Sequence, residues 1–415
     1  MSGPDELSRR AVDAANAAEL AARDSYGRLL ARLVVRTREV EQAEDALSEA
    51  FLSALRQWPS EGVPDNPEAW LLHVAKRRLS DSARHRALRT ALEPTLVIEE
   101  EHQRGVRRAQ VDDDRLTMML LCAHPEIEPA ARAPLMLQLV LGLDAARIAS
   151  AFLTSPATMS QRLVRAKQRI RDSGIQMEEP TESDRDARVQ DVLDAIYAAY
   201  GTGWDAAIGA ESSVGGLRAE SIWLARLVCA ASPSSAEAHG LLALLLYCES
   251  RQRARRDAAG RYVPLDEQDP RAWDRALYLE AELMLAAAAE RLTTRLPGRF
   301  QLEAAIQSVH TRRAESGTTD WETIVQFYIG LMQVAPSVGA AVGHAAAIAS
   351  AYGARAGLDA LRGIPSELVQ SYQPYWAVQA HLLRKTGASD ADAARQRAIG
   401  LTTDPAVRAF LQASA

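Results

Sequence analysis

Cysteine and aromatic residues are scarce in this chain, and long apolar runs are missing. Its three cysteines, Cys122, Cys229 and Cys248, are too few and too scattered for a disulfide framework, so a reducing cytoplasm is the expected compartment. No charged-then-apolar leader opens the sequence, and no apolar stretch reaches the ~18 residues that a membrane span needs. A soluble, cytoplasmic protein with no membrane partner is expected. Aromatics make up 5% of residues, and alternating runs of β-branched residues are almost absent, which argues against a sheet. A surplus of positive charge is also lacking, since the net charge is −6. That excludes a surface coated in basic residues for indiscriminate nucleic-acid binding; such residues are local here, which suits site-specific contact. No nucleophile-and-base set, phosphate loop or convincing metal spacing stands out, so no enzyme, cofactor or metal is expected.

What the chain does have is Ala and Leu at helical spacing. Its 415 residues are enough for two to four domains, each with its own core, and the expected fold is nearly all-α. The most informative stretch is LDAARIASAFLTSPATMSQRLVRAKQRIR, from Leu143 to Arg171. It reads as two helices joined by a tight turn, with Ser155 as N-cap and Pro156 at the first helical position of the second helix, where a missing N–H costs nothing. In that helix Met159, Leu163, Ala166 and Ile170 share one apolar face. Thr158, Gln161, Arg162 and Arg165 form a separate polar stripe about 120° round, and Lys167, Arg169 and Arg171 extend the positive charge. Arg and Gln at such positions can bond bidentately to base edges, so the pair of helices reads as a helix-turn-helix for the major groove.

Charge is sorted elsewhere too. Leu29, Leu30, Leu33 and Val34 form one helical stripe, and Val40, Ala43, Leu47, Phe51, Ala54 and Trp58 form a second. The outer side of the second helix is acidic, with Glu41, Glu44, Asp45 and Glu49. A Pro/Gly/Asn-rich loop, PSEGVPDNPEA, follows and ends where Asn66 can cap a helix that Pro67 begins. That helix is apolar at Trp70, Leu71, Val74 and Leu79, and over 76–89 it carries Lys76, Arg77, Arg78, Arg84, Arg86 and Arg89 against a single Asp81. Segregated signs point to two partners, a basic protein surface and a phosphate backbone. Cys122 and His124 lack a partner pair, and core or capping roles are expected for them.

The order of AEDALSEAF, GVPDNPEAWLL, VAKRRLSDSARHR, a linker and a terminal helix-turn-helix resembles a bacterial RNA polymerase sigma factor of the extracytoplasmic-function type, in the sigma-70 family. The likeness is to the subgroup with a tetratricopeptide-like helical extension. It implies a lead-in over 1–25, a −10 module over 26–90, a linker over 91–112, a −35 module over 113–174, a second linker over 175–187 and a helical regulatory domain over 188–415. By the same resemblance Glu41, Glu44, Asp45 and Glu49 hold the clamp helices of the polymerase's largest subunit. Lys76, Arg77, Arg78 and Arg84 hold phosphates at the −10 element of the promoter, with Asn66 and Trp70 near the loop that selects a base, although Trp70 at helical spacing also suits a core. Thr158, Gln161, Arg162, Arg165, Lys167 and Arg169 then serve the −35 element.

Pro233, Pro336 and Pro405 each follow an apolar helix, but Pro270 and Pro297 do not fit their ladder, so degenerate stacked hairpins are expected from Arg188 onward. Such an array offers a face for a protein or peptide partner. The subgroup's polar residues are missing at Gly201-Thr202 and at Gly343-His344. The alternative class is a stand-alone helix-turn-helix regulator with a helical sensing or interaction domain, which needs neither the acidic helix nor the GVPDNPEAW loop.

Overall fold

The computed structural model describes residues 4–37, 39–90, 114–152, 154–172, 181–205, 211–292 and 296–413. The expected linker over 91–112 lies outside them. Among the described residues the secondary structure is helical, apart from turns and one isolated antiparallel bridge between Arg256 and Tyr262. None of these helices is long and apolar enough to cross a membrane. The chain divides into two compact units, Met1–Thr202 and Gly203–Ala415.

The first unit is built on α1 (Pro4–Thr37), so the expected lead-in and the start of the first module are one continuous helix. Against it pack α2 (Val40–Glu61), α3 (Pro67–Thr90), α4 (Asp114–Cys122) and α5 (Pro129–Leu141). The helices α6 (Ala145–Ala151), α7 (Pro156–Asp172) and α8 (Glu182–Asp205) follow. Leu29, Leu30, Leu33 and Val34 of α1 are buried, as are Val40, Ala43, Leu47, Ala54 and Trp58 of α2 and Leu71 and Ala75 of α3. For α1 and α2 these are the helical stripes that the spacing predicts, except that Phe51 is only half-buried and stacks on Tyr26 with ring centroids 6.3 Å apart; on α3 only Leu71 of the expected stripe is buried, Trp70, Val74 and Leu79 are half-buried, and Ala75 takes the inner position instead.

One position decides how closely α1 and α5 approach. A Cβ at Gly27 would stand 1.7 Å from the Val140 carbonyl oxygen, so only glycine lets the two backbones touch there. Arg32 of α1 also meets Asp114 at the start of α4, at 3.3 Å.

The second expected linker, 175–187, is partly helix. Residues 173–180 lie outside the described ones, but α8 starts at Glu182, where the Thr181 hydroxyl accepts the Asp184 N–H at 3.3 Å. Its first turns belong to the first unit: Arg188 donates to the Leu120 carbonyl at 3.2 Å, and Asp191 pairs with Arg132 at 2.9 Å.

The second unit contains α9 (Glu211–Ala231) and α10 (Ala236–Ser250). Helix α10 is apolar all round, and Ala238 through Tyr247 are buried, as a helix enclosed on every side requires. It packs against α9, α11 (Arg275–Glu290) and α12 (Arg299–Ser316). The Glu237 carboxylate accepts the Phe300 and Gln301 N–H groups at 3.0 and 3.1 Å, which satisfies donors that the start of α12 leaves open. Then come α13 (Trp321–Val334), α14 (Val338–Tyr352), α15 (Ala354–Arg362), α16 (Ser366–Val369), α17 (Gln373–Lys385), α18 (Ala391–Leu401) and α19 (Pro405–Ala413), mostly packed neighbour on neighbour. The exception to hairpin after hairpin is 251–274, three 3₁₀ turns held as a compact excursion. Arg313 donates to the carbonyls of Leu265, Asp266 and Gln268, and its guanidinium lies 5.4 Å from the ring of the buried Trp273. Pro270 sits in that excursion, which is why it breaks the proline ladder.

His310 of α12 is buried with its ring edge-on to Trp321, and burial beside Arg251 and Arg313 holds its pKa down at about 3. Only the neutral imidazole fits, so protonation opposes folding: stability is complete above the ordinary imidazole range near 6.5 and falls as pH drops from there toward 3. The expected slope is at most about 1.4 kcal/mol per pH unit from this residue. Urea melts between pH 7.5 and 4 should show it, and His310→Leu should flatten it.

Candidate nucleic-acid interface

The helix pair α6–α7 is set up by its caps. Gly142, in the left-handed region at φ 65°, ends α5. The Asp144 carboxylate accepts the Arg147 N–H at 2.9 Å to start α6, and the Ser155 hydroxyl accepts the Thr158 N–H at 3.1 Å to start α7. On α7, Met159, Leu163, Ala166 and Ile170 are buried. Thr158, Gln161, Arg165 and Arg169 are exposed on the other side. Arg165, Gln168, Arg169 and Asp172 line a shallow depression there.

Arg162 and Lys167 are placed differently. Pro134 inside α5 has no N–H to give the Ala130 carbonyl, so that acceptor lacks its helical partner. The Arg162 guanidinium donates to it at 3.3 Å and is half-buried as a result. Lys167 is turned toward α2, where its ammonium lies 2.7 Å from the Glu44 carboxylate, with side-chain exposures of 29% and 24%. One turn on, Arg171 pairs with Glu41 at 2.8 Å in full view of solvent. Residues assigned by sequence to different partners thus hold each other.

On α2, Glu41, Asp45 and Glu49 are exposed and Glu44 is half-buried. Glu49 stands 3.7 Å from Arg78 of α3, a loose pair of two half-exposed groups. Arg77 is exposed and Lys76 half-buried, while the side chain of Arg84 lies outside the described residues. Asn66 caps α3 by accepting the Ala69 N–H at 2.9 Å. Trp70 is half-buried, with its ring edge-on to Trp58 at 5.5 Å, which fits the core reading of this residue better than a free stacking platform. Glu68, which the sequence reading passed over, anchors the first turn of α3 to α1 through Ser25 and Arg28, each at 3.2 Å. Nothing local in the sequence marks that contact.

Cys122 is fully buried and burial pushes its thiol up to about 12, so it keeps its proton. His124 accepts the Glu126 N–H at 3.2 Å and closes the turn after α4. Both serve packing and capping. Among the described residues no three of His, Cys, Asp or Glu gather as a metal site would need. His344 is half-buried beside Tyr328, with Nε2 shielded from solvent and without a hydrogen-bond partner, and His381 is exposed.

An acidic helix, a loop and a basic helix in one compact unit with a capped helix pair define a helical protein that displays separate acidic and basic surfaces. A family model described as Sigma-70 region 2 matches residues 23–89, which takes in α2, the GVPDNPEAW loop and nearly all of α3. A second model, described as a family of unknown function (DUF6596), matches residues 188–289. Uncharacterized protein R00370 of Rhizobium meliloti (strain 1021) is 35% identical over 382 residues, 90% of this chain and 89% of that protein. No solved structure matches. The N-terminal part of the chain carries a sigma-70 region 2 domain, and the alignment with that relative runs along nearly the whole length. Sigma-70 proteins are transcription initiation factors and not enzymes; the region 2 module implies binding to core RNA polymerase and to promoter DNA.

The two caps give a direct check of this local architecture. Ser155→Ala and Asn66→Ala should each cost about 1 kcal/mol of stability. Urea unfolding of the whole protein, followed by circular dichroism, measures it.

Proposed function

We propose that this protein is a sigma factor of the extracytoplasmic-function type, which directs core polymerase to promoters with separate −10 and −35 contacts and carries its own C-terminal regulator. The observation that carries the reading is the exposed stripe of Thr158, Gln161, Arg165 and Arg169 on a capped helix in the same compact unit as the sigma region 2 match. Arg165 and Gln161 are the base readers on this view, and Arg169 and Lys167 neutralise phosphate. Arg162 acts mainly by fixing α7 to α5. On α3, Lys76, Arg77, Arg78 and Arg84 follow the backbone of the −10 element, with Asn66 and Trp70 shaping the loop before them. Glu41, Glu44, Asp45 and Glu49 meet the basic clamp helices of the largest polymerase subunit. The second unit, a run of packed helices with a tetratricopeptide-like pattern, acts in cis on these modules and offers a surface to a protein or peptide.

Run-off transcription with core polymerase on genomic fragments tests the whole reading. Asp45→Lys with Glu49→Lys should abolish co-elution with polymerase while leaving the fold intact; a stand-alone repressor would tolerate the reversal. Arg165→Ala should weaken binding to the upstream element by about 1 to 3 kcal/mol and relax its sequence preference. Arg162→Ala should lower thermal stability and affect the upstream preference less. Removing residues 206–415, which spares the α8 contacts to the first unit, should change promoter-directed output. Unchanged output would rule out control in cis.

A further inference from the structure

We infer that the inner face of the second unit is a peptide-binding site already filled by the protein's own chain: residues 255–268 are its resident ligand, and α19 closes over them to shut the array into a ring. The inference concerns the second unit alone and does not depend on what the first unit binds. Three helices far apart in sequence converge on this one stretch. Arg313 of α12 donates to the carbonyls of Leu265, Asp266 and Gln268, at 2.9, 2.7 and 2.9 Å. On α17, burial, Lys385 and Arg384 lower the pKa of His381, and the nearby Asp266 carboxylate opposes them. At the start of α19 Asp404 pairs with Arg256, and further along that helix Phe410 meets the Tyr262 ring edge-on at 5.4 Å.

Packing order makes this convergence informative. The helices α12 to α19 are mostly packed neighbour on neighbour, and such a stack, laid out open, sets its first and last members apart. One short stretch meets α12, α17 and α19 together only if the stack curls round it. The stretch is also built to be held by others. Its ends are clasped outside the contact, where the Asp274 N–H donates to the Ser250 carbonyl at 2.8 Å. Between those ends it forms 3₁₀ turns and one isolated bridge, which leaves carbonyls open to Arg313. Tyr262, Val263, Pro264 and Leu265 are half-buried and Gln268 is buried. Basic, aromatic and acidic side chains follow in turn, and each has a counterpart on the helices: Asp404 for Arg256, Phe410 for Tyr262, and His381, flanked by Arg384 and Lys385, for Asp266. A peptide from outside that this face would take has the same pattern, and it must displace the resident stretch to bind.

Hydrogen exchange of the full chain, followed by mass spectrometry, tests the closure. Asp404→Asn keeps the cap that this residue gives the Ala406 and Val407 N–H groups but drops the charge that holds Arg256. The Val263 and Gln268 N–H groups are bonded within the stretch, to the Arg255 and Pro264 carbonyls. In Asp404→Asn, and in Phe410→Ala, their exchange should become about tenfold faster although the substitutions lie far away in sequence. Changes confined to α18 and α19 in both variants overturn the inference, because an open array frays in that way. Occupancy is tested with a synthetic peptide of residues 255–268 and a full chain in which a glycine-serine linker replaces 256–268. The linker chain should bind the peptide at up to about 1 mM, the concentration a short tether supplies, and recover slow exchange in α19. Wild type should bind it about tenfold more weakly. Equal binding by the two chains, or no binding by a folded linker chain, overturns the inference. Should the linker chain fail to fold, the exchange of the two point variants decides by itself.

Discussion

The close passage of α1 over α5 is the constraint on which the first unit depends. A backbone-to-backbone contact at Gly27 and Val140 leaves no room for a side chain, and close packing does not adjust smoothly to an added methyl group. The helix that carries the contact also packs on α2, α3 and α4. Through α1 the module matched to sigma region 2 is joined to α4 and α5, and α5 in turn packs on α6 and α7. With that position fixed, the apolar stripes of α1 and α2 close the core on one side and α4 and α5 close it on the other.

Electrostatics then acts on a scaffold already set by packing. The exposed pair of Arg171 and Glu41 contributes little by itself, because water screens it and both long side chains lose freedom in making it. The more shielded pair of Lys167 and Glu44 matters more for which faces meet than for how stable the fold is, since desolvation offsets much of the attraction. Arg162 shows a related economy. A proline inside α5 leaves one carbonyl without its helical donor, and a guanidinium from α7 supplies it. The same residue type at Arg165, one turn further along, meets no such acceptor and remains at the surface.

The second unit follows a different logic. Helix α10 is enclosed on all sides, and the carboxylate of Glu237 serves as the cap of a neighbouring helix. The excursion over 251–274 is held by arginine stacked on tryptophan and bonded to three carbonyls. This is the region where the model of unknown function matches and where the relative from Rhizobium meliloti (strain 1021) continues to align. Buried and partly buried polar contacts hold this part of the chain in a defined fold.

Local rules made much of this legible in the amino-acid order. Met159, Leu163, Ala166 and Ile170 share a face because a helix turns by about 100° per residue, and Ser155 and Asn66 cap because their short side chains reach open N–H groups. Those are properties of neighbours in sequence, and the all-α architecture follows from summing them. Spacing carries no information about contacts between distant segments. Nothing in the order of residues brings Lys167 to Glu44 across 123 positions, joins Arg162 to the carbonyl that Pro134 frees, or starts α8 inside an expected linker. Periodicity decides which face of a helix is apolar; the direction in which neighbouring helices cross decides which charges on the opposite face meet, and that direction is a matter of tertiary packing, of which the α1–α5 contact at Gly27 is one part.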